Sequence, residues 1–146
     1  MTDAPAAGVL VDSNVLLDLF TEDPTWATWS ESRLAEAFDA GQVVINPIVY
    51  AEISVAFERI ETLEDALPVQ LGREALPWQA AFLAGKCFID YRRRGGTRRS
   101  PLPDFYIGAH AAVTGRALLT RDTRRYQTLL PTLTLISPGA SRTSGT

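Results

Sequence analysis

This 146-residue chain holds one cysteine, Cys87, and one histidine, His110. A single thiol excludes an internal disulfide, and no Cys/His set exists for a structural zinc site. No apolar run approaches the ~18–20 residues that cross a bilayer. Residues 1–8 carry no basic segment ahead of an apolar stretch, so a secretory leader is not expected. With 46% hydrophobic and 21% charged residues, the composition suits neither a disordered chain nor a membrane protein. GxxxxGK[ST] and GxGxxG are both missing, which removes nucleotide cradles of those kinds. What remains is one soluble, cytoplasmic domain with no membrane partner.

Charge is scarce in sum and uneven along the chain. The formal net charge is −3, from 17 acids and 14 bases. Residues 1–90 hold 15 acids against Arg33, Arg59, Arg73 and Lys86, a net of −11. Residues 91–146 hold ten arginines against Asp104 and Asp122, a net of +8. Such a split points toward a nucleic-acid or acidic partner.

Gly8-Val-Leu-Val-Asp12 reads as a buried strand, and Asp12-Ser-Asn14 offers helix-capping side chains before Val15–Phe20. Asp23-Pro24 starts a helix to Ala40, with Trp26, Trp29, Leu34, Ala37 and Phe38 as its stripe. Residues 42–46 form a second strand. Asn46-Pro47 opens a helix to about Phe57 or Arg59, and Thr62-Leu-Glu-Asp65 resembles a capping box. Trp78–Arg94 is helical, with Trp78, Ala81, Phe82, Gly85 and Ile89 on one face. Leu102-Pro-Asp104 opens a helix to about Val113, residues 117–120 form a strand, 124–130 a short helix and 132–136 a last strand. Alternating strands and helices predict an α/β fold, a mostly parallel central sheet with helices on both faces. The domain spans residues 8–136, with 1–7 and 137–146 as flexible tails.

Four acids stand out. Ligand sites in open α/β sheets lie beyond the carboxyl ends of the strands. Asp12 ends the first strand and Asp122 follows the strand before it. Glu52 lies one turn into the helix begun by Pro47, and its helical neighbours Ile48, Val55 and Ala56 predict a core-facing stripe. Asp104 opens a helix whose same face carries Gly108, Ala111 and Ala112; Gly108 hints at close packing, since glycine costs a helix about 1 kcal/mol against alanine. Taken singly, Asp12, Asp104 and Asp122 also suit helix caps or first-turn anions. Taken together, four like charges at one sheet edge repel and raise one another's pKa values unless something positive sits among them. Lys86 and the arginines are protein candidates. A hard divalent cation suits the set better, because Mg²⁺ takes one or two carboxylates, keeps water, and is completed by substrate phosphate.

Other acidic-site chemistries fit poorly. A phosphate receiver needs a second acid beside the first strand's Asp and a lysine after a late strand, whereas Lys86 lies in a helix. A haloacid-dehalogenase-type phosphatase needs Asp-x-Asp, and here Asp12-Ser-Asn14 stands instead. His110 is about two-thirds of a helical revolution from Asp104, which disfavours a serine hydrolase; it reads as packing or surface. Cys87 reads as a small core residue.

The ordered segments Val9-Leu-Val-Asp12-Ser-Asn14, Tyr50-Ala-Glu52, Leu102-Pro-Asp104-Phe-Tyr-Ile-Gly-Ala-His-Ala111 and Leu119-Thr-Arg-Asp122 resemble the PIN-domain ribonucleases, in particular VapC-type toxins. The likeness runs from about Gly8 to Ile136. It implies a metal-dependent RNase with Asp12, Glu52, Asp104 and Asp122 as the catalytic quartet. It further implies Mg²⁺ or Mn²⁺ held chiefly by Asp12 and Asp104, with Asp122 and Glu52 binding directly or through water. Asn14 and Thr120 are implied as supporting polar groups. The usual assembly of such toxins is a homodimer neutralised by a small antitoxin.

The implied reaction is hydrolysis of an RNA phosphodiester. Arg92-Arg-Arg-Gly-Gly-Thr-Arg-Arg99 offers bidentate phosphate donors just ahead of Asp104. Arg92–Arg94 equally suit a helix C-terminus, which leaves Arg98 and Arg99 as RNA-binding candidates, with Arg121, Arg124 and Arg125 adding to the rim. The acidic stretch 58–65 after an apolar helix suits either an antitoxin contact or a solvated face. An RNA-processing nuclease without an antitoxin, and a non-catalytic RNA- or protein-binding module, are the alternative functions.

Overall fold

The computed structural model describes residues 8–99 and 102–139. Five strands form one all-parallel sheet: β1 (Val9–Val11), β2 (Val43–Ile45), β3 (Gly72–Arg73), β4 (Ala117–Leu119) and β5 (Leu135–Ile136), in the spatial order β3-β2-β1-β4-β5. Seven helices connect them: α1 (Ser13–Thr21), α2 (Ala27–Ala40), α3 (Pro47–Ser54), α4 (Ile60–Ala66), α5 (Trp78–Arg93), α6 (Pro103–Thr114) and α7 (Thr123–Leu129). Successive strands step away from β1 in one direction to β3, then resume beyond β1 at β4. The strand order therefore reverses between β1 and β4, which opens a crevice at their carboxyl ends.

The strands are short and apolar because both faces of the sheet are covered. Every residue of β1 and β2 is buried, as continuous Val/Leu/Ile runs in a parallel sheet should be. Val15 and Leu16 of α1, Leu34 of α2, Val49 and Ile53 of α3, and Ile107 and Ala111 of α6 close over them in the main core. A smaller cluster joins Ala80 and Ala84 of α5 to Phe105 and Ala109 of α6.

Several boundaries differ from the sequence reading, each for a local reason. Asp23 Oδ1 accepts from the backbone N–H groups of Thr25 and Trp26, so Pro24 lies in a side-chain-closed turn and α2 begins at Ala27. Beyond Ser54 the backbone bonds tighten to three-residue spacing, Ala56 to Ile53 and Phe57 to Ser54. The turn lays the Phe57 ring edge-on against Phe20, 5.1 Å away. The capping-box reading is not realised: α4 starts at Ile60, and its cap residue, Arg59, makes no side-chain cap bond. Strand β3 went unforeseen, since two residues show no periodicity. The face of α5 bearing Trp78, Phe82 and Ile89 is its solvent face, while Ala80, Ala84 and Cys87 are buried. Of the two expected tails, residues 1–7 and 140–146 lie outside the described residues. Ser137, assigned to the second tail, is buried instead, and Pro138 accepts a bond from the Thr123 hydroxyl at 3.3 Å. No helix of the described residues is long and apolar enough to cross a membrane.

Candidate active site

The crevice is built from strand ends. Val11 pairs with Leu119 in the β1–β4 ladder, so Asp12 and Thr120 leave the sheet side by side. Asp12 caps α1 by accepting from the Ser13 N–H at 2.8 Å with Oδ1. Its Oδ2 accepts from the Thr120 hydroxyl at 2.8 Å and from Asn14 Nδ2 at 3.3 Å. The capping reading of Asp12 thus holds, and it engages one oxygen while Thr120 and Asn14 hold the other. Thr120 is fully buried, and its Oγ1 also accepts from the Asp122 N–H at 3.0 Å. Asn14 Oδ1 accepts from the Arg121 N–H at 3.2 Å. The two residues expected to support the site therefore tie the β1 and β4 exits together.

Around Asp12 the other acids follow in sequence. Glu52, half-buried on α3, accepts from the Ser13 hydroxyl at 2.6 Å. The stripe invoked for it is corrected: α3 buries Val49 and Ile53, whereas Val55 is 81% exposed, and Glu52 flanks the buried stripe. Asp104 sits in the first turn of α6, whose cap residue, Leu102, makes no side-chain bond. Its Oδ1 accepts from the Tyr126 hydroxyl at 3.3 Å. Asp122 is the cap residue of α7, yet its side chain makes no cap bond; it pairs with Arg125 Nε at 3.2 Å. Arg125 Nη1 also donates to Asp104 Oδ2. A continuous chain of contacts results, from Glu52 through Ser13 to Asp12, and from Asp12 through Thr120 to Asp122, Arg125 and Asp104.

The electrostatics match that crowding. Burial, with the charges of Asp104 and Glu52 adding to it, raises the Asp12 carboxyl from 3.8 to about 6, against the lowering effect of the Thr120 hydroxyl and the Ser13 N–H. Burial, with the neighbouring Asp12 and Asp104 adding to it, holds the Tyr126 phenol well above its ordinary value, so it stays a donor. Arg125 supplies the positive group that such a cluster requires. Among the described residues no three His, Cys, Asp or Glu side chains close to metal-ligating spacing. The donor set still fits a hard cation that takes few carboxylates and several waters: an oxygen-only group led by buried Asp12, which pairs with no cation among the described residues.

Two residues went unforeseen by sequence reasoning, Ser13 and Tyr126. Tyr126 carried a signal, since it follows Asp122 by four residues and so shares its helical face. The close packing expected at Gly108 is against α7: a Cβ there would come within 2.9 Å of Leu130 and 3.2 Å of the Tyr126 ring. Glycine on α6 lets α7 approach and seats Tyr126 in the crevice.

The expected arginine rim divides. Arg98, Arg99 and Arg124 are exposed. Arg121 is placed otherwise: Nε and Nη2 grip buried Asp18 at 2.8 and 2.9 Å, and its guanidinium lies 5.2 Å from the Trp26 ring. Ser30 completes Asp18 with a 2.6 Å hydroxyl bond. His110 is wholly buried between Asn46, at 3.0 Å, and Glu74, at 2.8 Å, so it serves the framework. A cavity of about 300 Å³ lies along Ile45, Asn46, Pro47, Tyr50 and Arg73; none of the four acids lines it.

A family model for the PIN domain matches residues 9–128. The chain belongs to the PIN-domain family. Among curated proteins nothing matches its sequence. Solved structures carry the same fold at low identity. VapBC2 from Rickettsia felis, bound to a DNA fragment from its promoter, gives a TM-score of 0.68 at 17% identity, covering 88% of this chain and 97% of that one. DNA-bound VapBC from Salmonella typhimurium gives 0.67 at 20%, covering 89% and 97%. A toxin–antitoxin complex from Klebsiella pneumoniae gives 0.61 at 22%, covering 80% and 88%. This PIN domain thus keeps the fold across nearly the full length of those chains.

Proposed function

We propose that this PIN domain is a divalent-cation-dependent endoribonuclease that acts as the toxin of a toxin–antitoxin pair. The observation that carries the reading is the crevice between β1 and β4, where buried Asp12 is linked through hydroxyls and Arg125 to Glu52, Asp104 and Asp122. The solved VapBC and toxin–antitoxin complexes with this fold support an antitoxin as partner; the working form in this proposal is a homodimer in the cytoplasm.

Asp12 and Asp104 are the residues that would hold Mg²⁺ or Mn²⁺, with Asp122 and Glu52 contributing directly or through water. Such an ion, when bound, supplies a Lewis acid that stabilises phosphoryl charge and acidifies the attacking water. The chain's own groups do the rest. Thr120 and the Ser13 N–H keep Asp12 in one orientation. Ser13 fixes Glu52 so that its second oxygen is left to orient water. Tyr126 donates toward Asp104 and remains protonated. Arg98, Arg99 and Arg124 meet the RNA phosphates that the acids would repel; Arg121, engaged with Asp18, holds the Asp122 loop instead.

The decisive experiment is incubation of total RNA with the purified protein, with and without Mg²⁺ or Mn²⁺, beside Asp104→Asn. Metal-dependent cleavage that the variant loses, with its circular dichroism unchanged, is the expected result. Full cleavage by Asp104→Asn, in a preparation free of other nucleases, would overturn the site assignment. Absence of cleavage by the native protein would overturn the enzyme reading in favour of a binding module.

A further inference from the structure

Arg125 is the one cation lodged among the acids by the described contacts, and its position is unusual for a structural ion pair. Its side chain is 56% exposed, while the Asp104 side chain beneath it is 14% exposed and that of Asp122 is 36% exposed. The guanidinium therefore lies on the solvent side of the carboxylates, across the mouth of the crevice. One contact is a local i,i+3 pair to Asp122; the other reaches 21 residues back to Asp104. Exposed pairs of this kind hold weakly.

We propose that Arg125 is an exchangeable cation of the active site: it neutralises Asp104 and Asp122 in the metal-free protein, is released when a divalent cation takes Asp104, and then binds the substrate phosphate. This rests on the cation-dependent nuclease reading above. Two cations do not share one carboxylate edge without mutual repulsion, so an ion on Asp104 drives the guanidinium away. The fork geometry that fits a carboxylate also fits a phosphate. A long, half-exposed arm anchored on α7 needs only side-chain rotation to turn outward. Cation binding and substrate capture are thereby coupled through one side chain, and the acids never stand uncompensated.

The test titrates Mn²⁺ alone into native protein, Arg125→Gln, Arg125→Lys and Asp104→Asn, followed by calorimetry and by the Mn²⁺ spin resonance signal. Removing the competitor should tighten Mn²⁺ binding in Arg125→Gln by about 3- to 5-fold, the scale of a partly exposed ion pair. Arg125→Lys should fall between the two. A labelled 2′-O-methyl oligoribonucleotide then reads substrate capture. Mn²⁺ should strengthen its binding to native protein more than to Arg125→Gln, whose salt slope should fall by about one unit. Unchanged or weaker Mn²⁺ binding by Arg125→Gln overturns the exchange. If native protein and Asp104→Asn alike bind no Mn²⁺, the nuclease reading itself fails and takes the exchange with it.

Discussion

The Thr120 hydroxyl donates to Asp12 Oδ2 at 2.8 Å, joining residues 108 apart that leave adjacent parallel strands. One hydroxyl does two jobs there, because it also accepts the backbone N–H of Asp122 at 3.0 Å. Thr120→Val keeps the shape and removes both bonds. It should cost about 1–3 kcal/mol in urea denaturation and push the Asp12 titration above its native position. Thr120→Ser should restore both. A valine variant with native stability and an unmoved Asp12 carboxyl resonance would show that the hydroxyl is not what holds the site.

Asp12 makes stability depend on pH. Its folded pKa, about 6, lies above the unfolded 3.8, so between those values the folded protein keeps a proton that the unfolded chain has lost. Its contribution is present below 3.8 and disappears as pH rises through about 6. Relative to Asp12→Asn, the metal-free native protein should therefore lose about 2 kcal/mol between pH 4 and pH 7. Glu74, held below the usual carboxylate range chiefly by Arg116, acts in the opposite sense but is common to both proteins and cancels. A difference between the two that stays flat with pH would contradict the burial of Asp12. Divalent cation, by favouring the ionised form, should shrink the difference.

Gly108→Ala brings two opposed effects together. Alanine improves the helix by about 1 kcal/mol, whereas the new Cβ meets Tyr126 and Leu130 inside ordinary contact distance. Overpacking of this kind costs about 1–3 kcal/mol, so the variant should be less stable by denaturant titration, with the Tyr126 ring displaced. A stabilised Gly108→Ala would mean that α7 yields freely.

Arg121 and the pair Arg98 and Arg99 should separate by what they damage. Arg121→Ala leaves buried Asp18 without its cation, which should cost about 3 kcal/mol or more of stability. Replacing Arg98 and Arg99, both exposed, should leave the melting temperature unchanged and reduce the salt dependence of RNA affinity by about two phosphate contacts. Interchanged outcomes would reverse the two assignments.

Much of this molecule was legible in one dimension. Alternating apolar runs and capped helices reported the parallel α/β architecture, since a strand buried on both faces must be apolar throughout. The acids Asp12, Asp104 and Asp122 were visible because each follows a strand or opens a helix, positions set by local sequence. Glu52 was found from a stripe of which Val55 and Ala56 are exposed and only Ile48 reaches the core, so its place beside Asp12 owes more to the Ser13 bond than to periodicity.

By itself the sequence determined the element types, the carboxylates at the strand ends and the basic last third of the chain. Only the tertiary structure decided the partners. Arg121 and Arg125 stand four residues apart with the same chemistry, yet one grips Asp18 beneath Trp26 and the other spans Asp104 and Asp122. Tyr126 and Gly108 read as ordinary helical residues until α7 lies against α6. Helix and strand are settled by bonds within a few residues, and a local pattern can record them. Which cation meets which carboxylate depends on contacts between segments up to a hundred residues apart, and those distances exist only once the chain has folded.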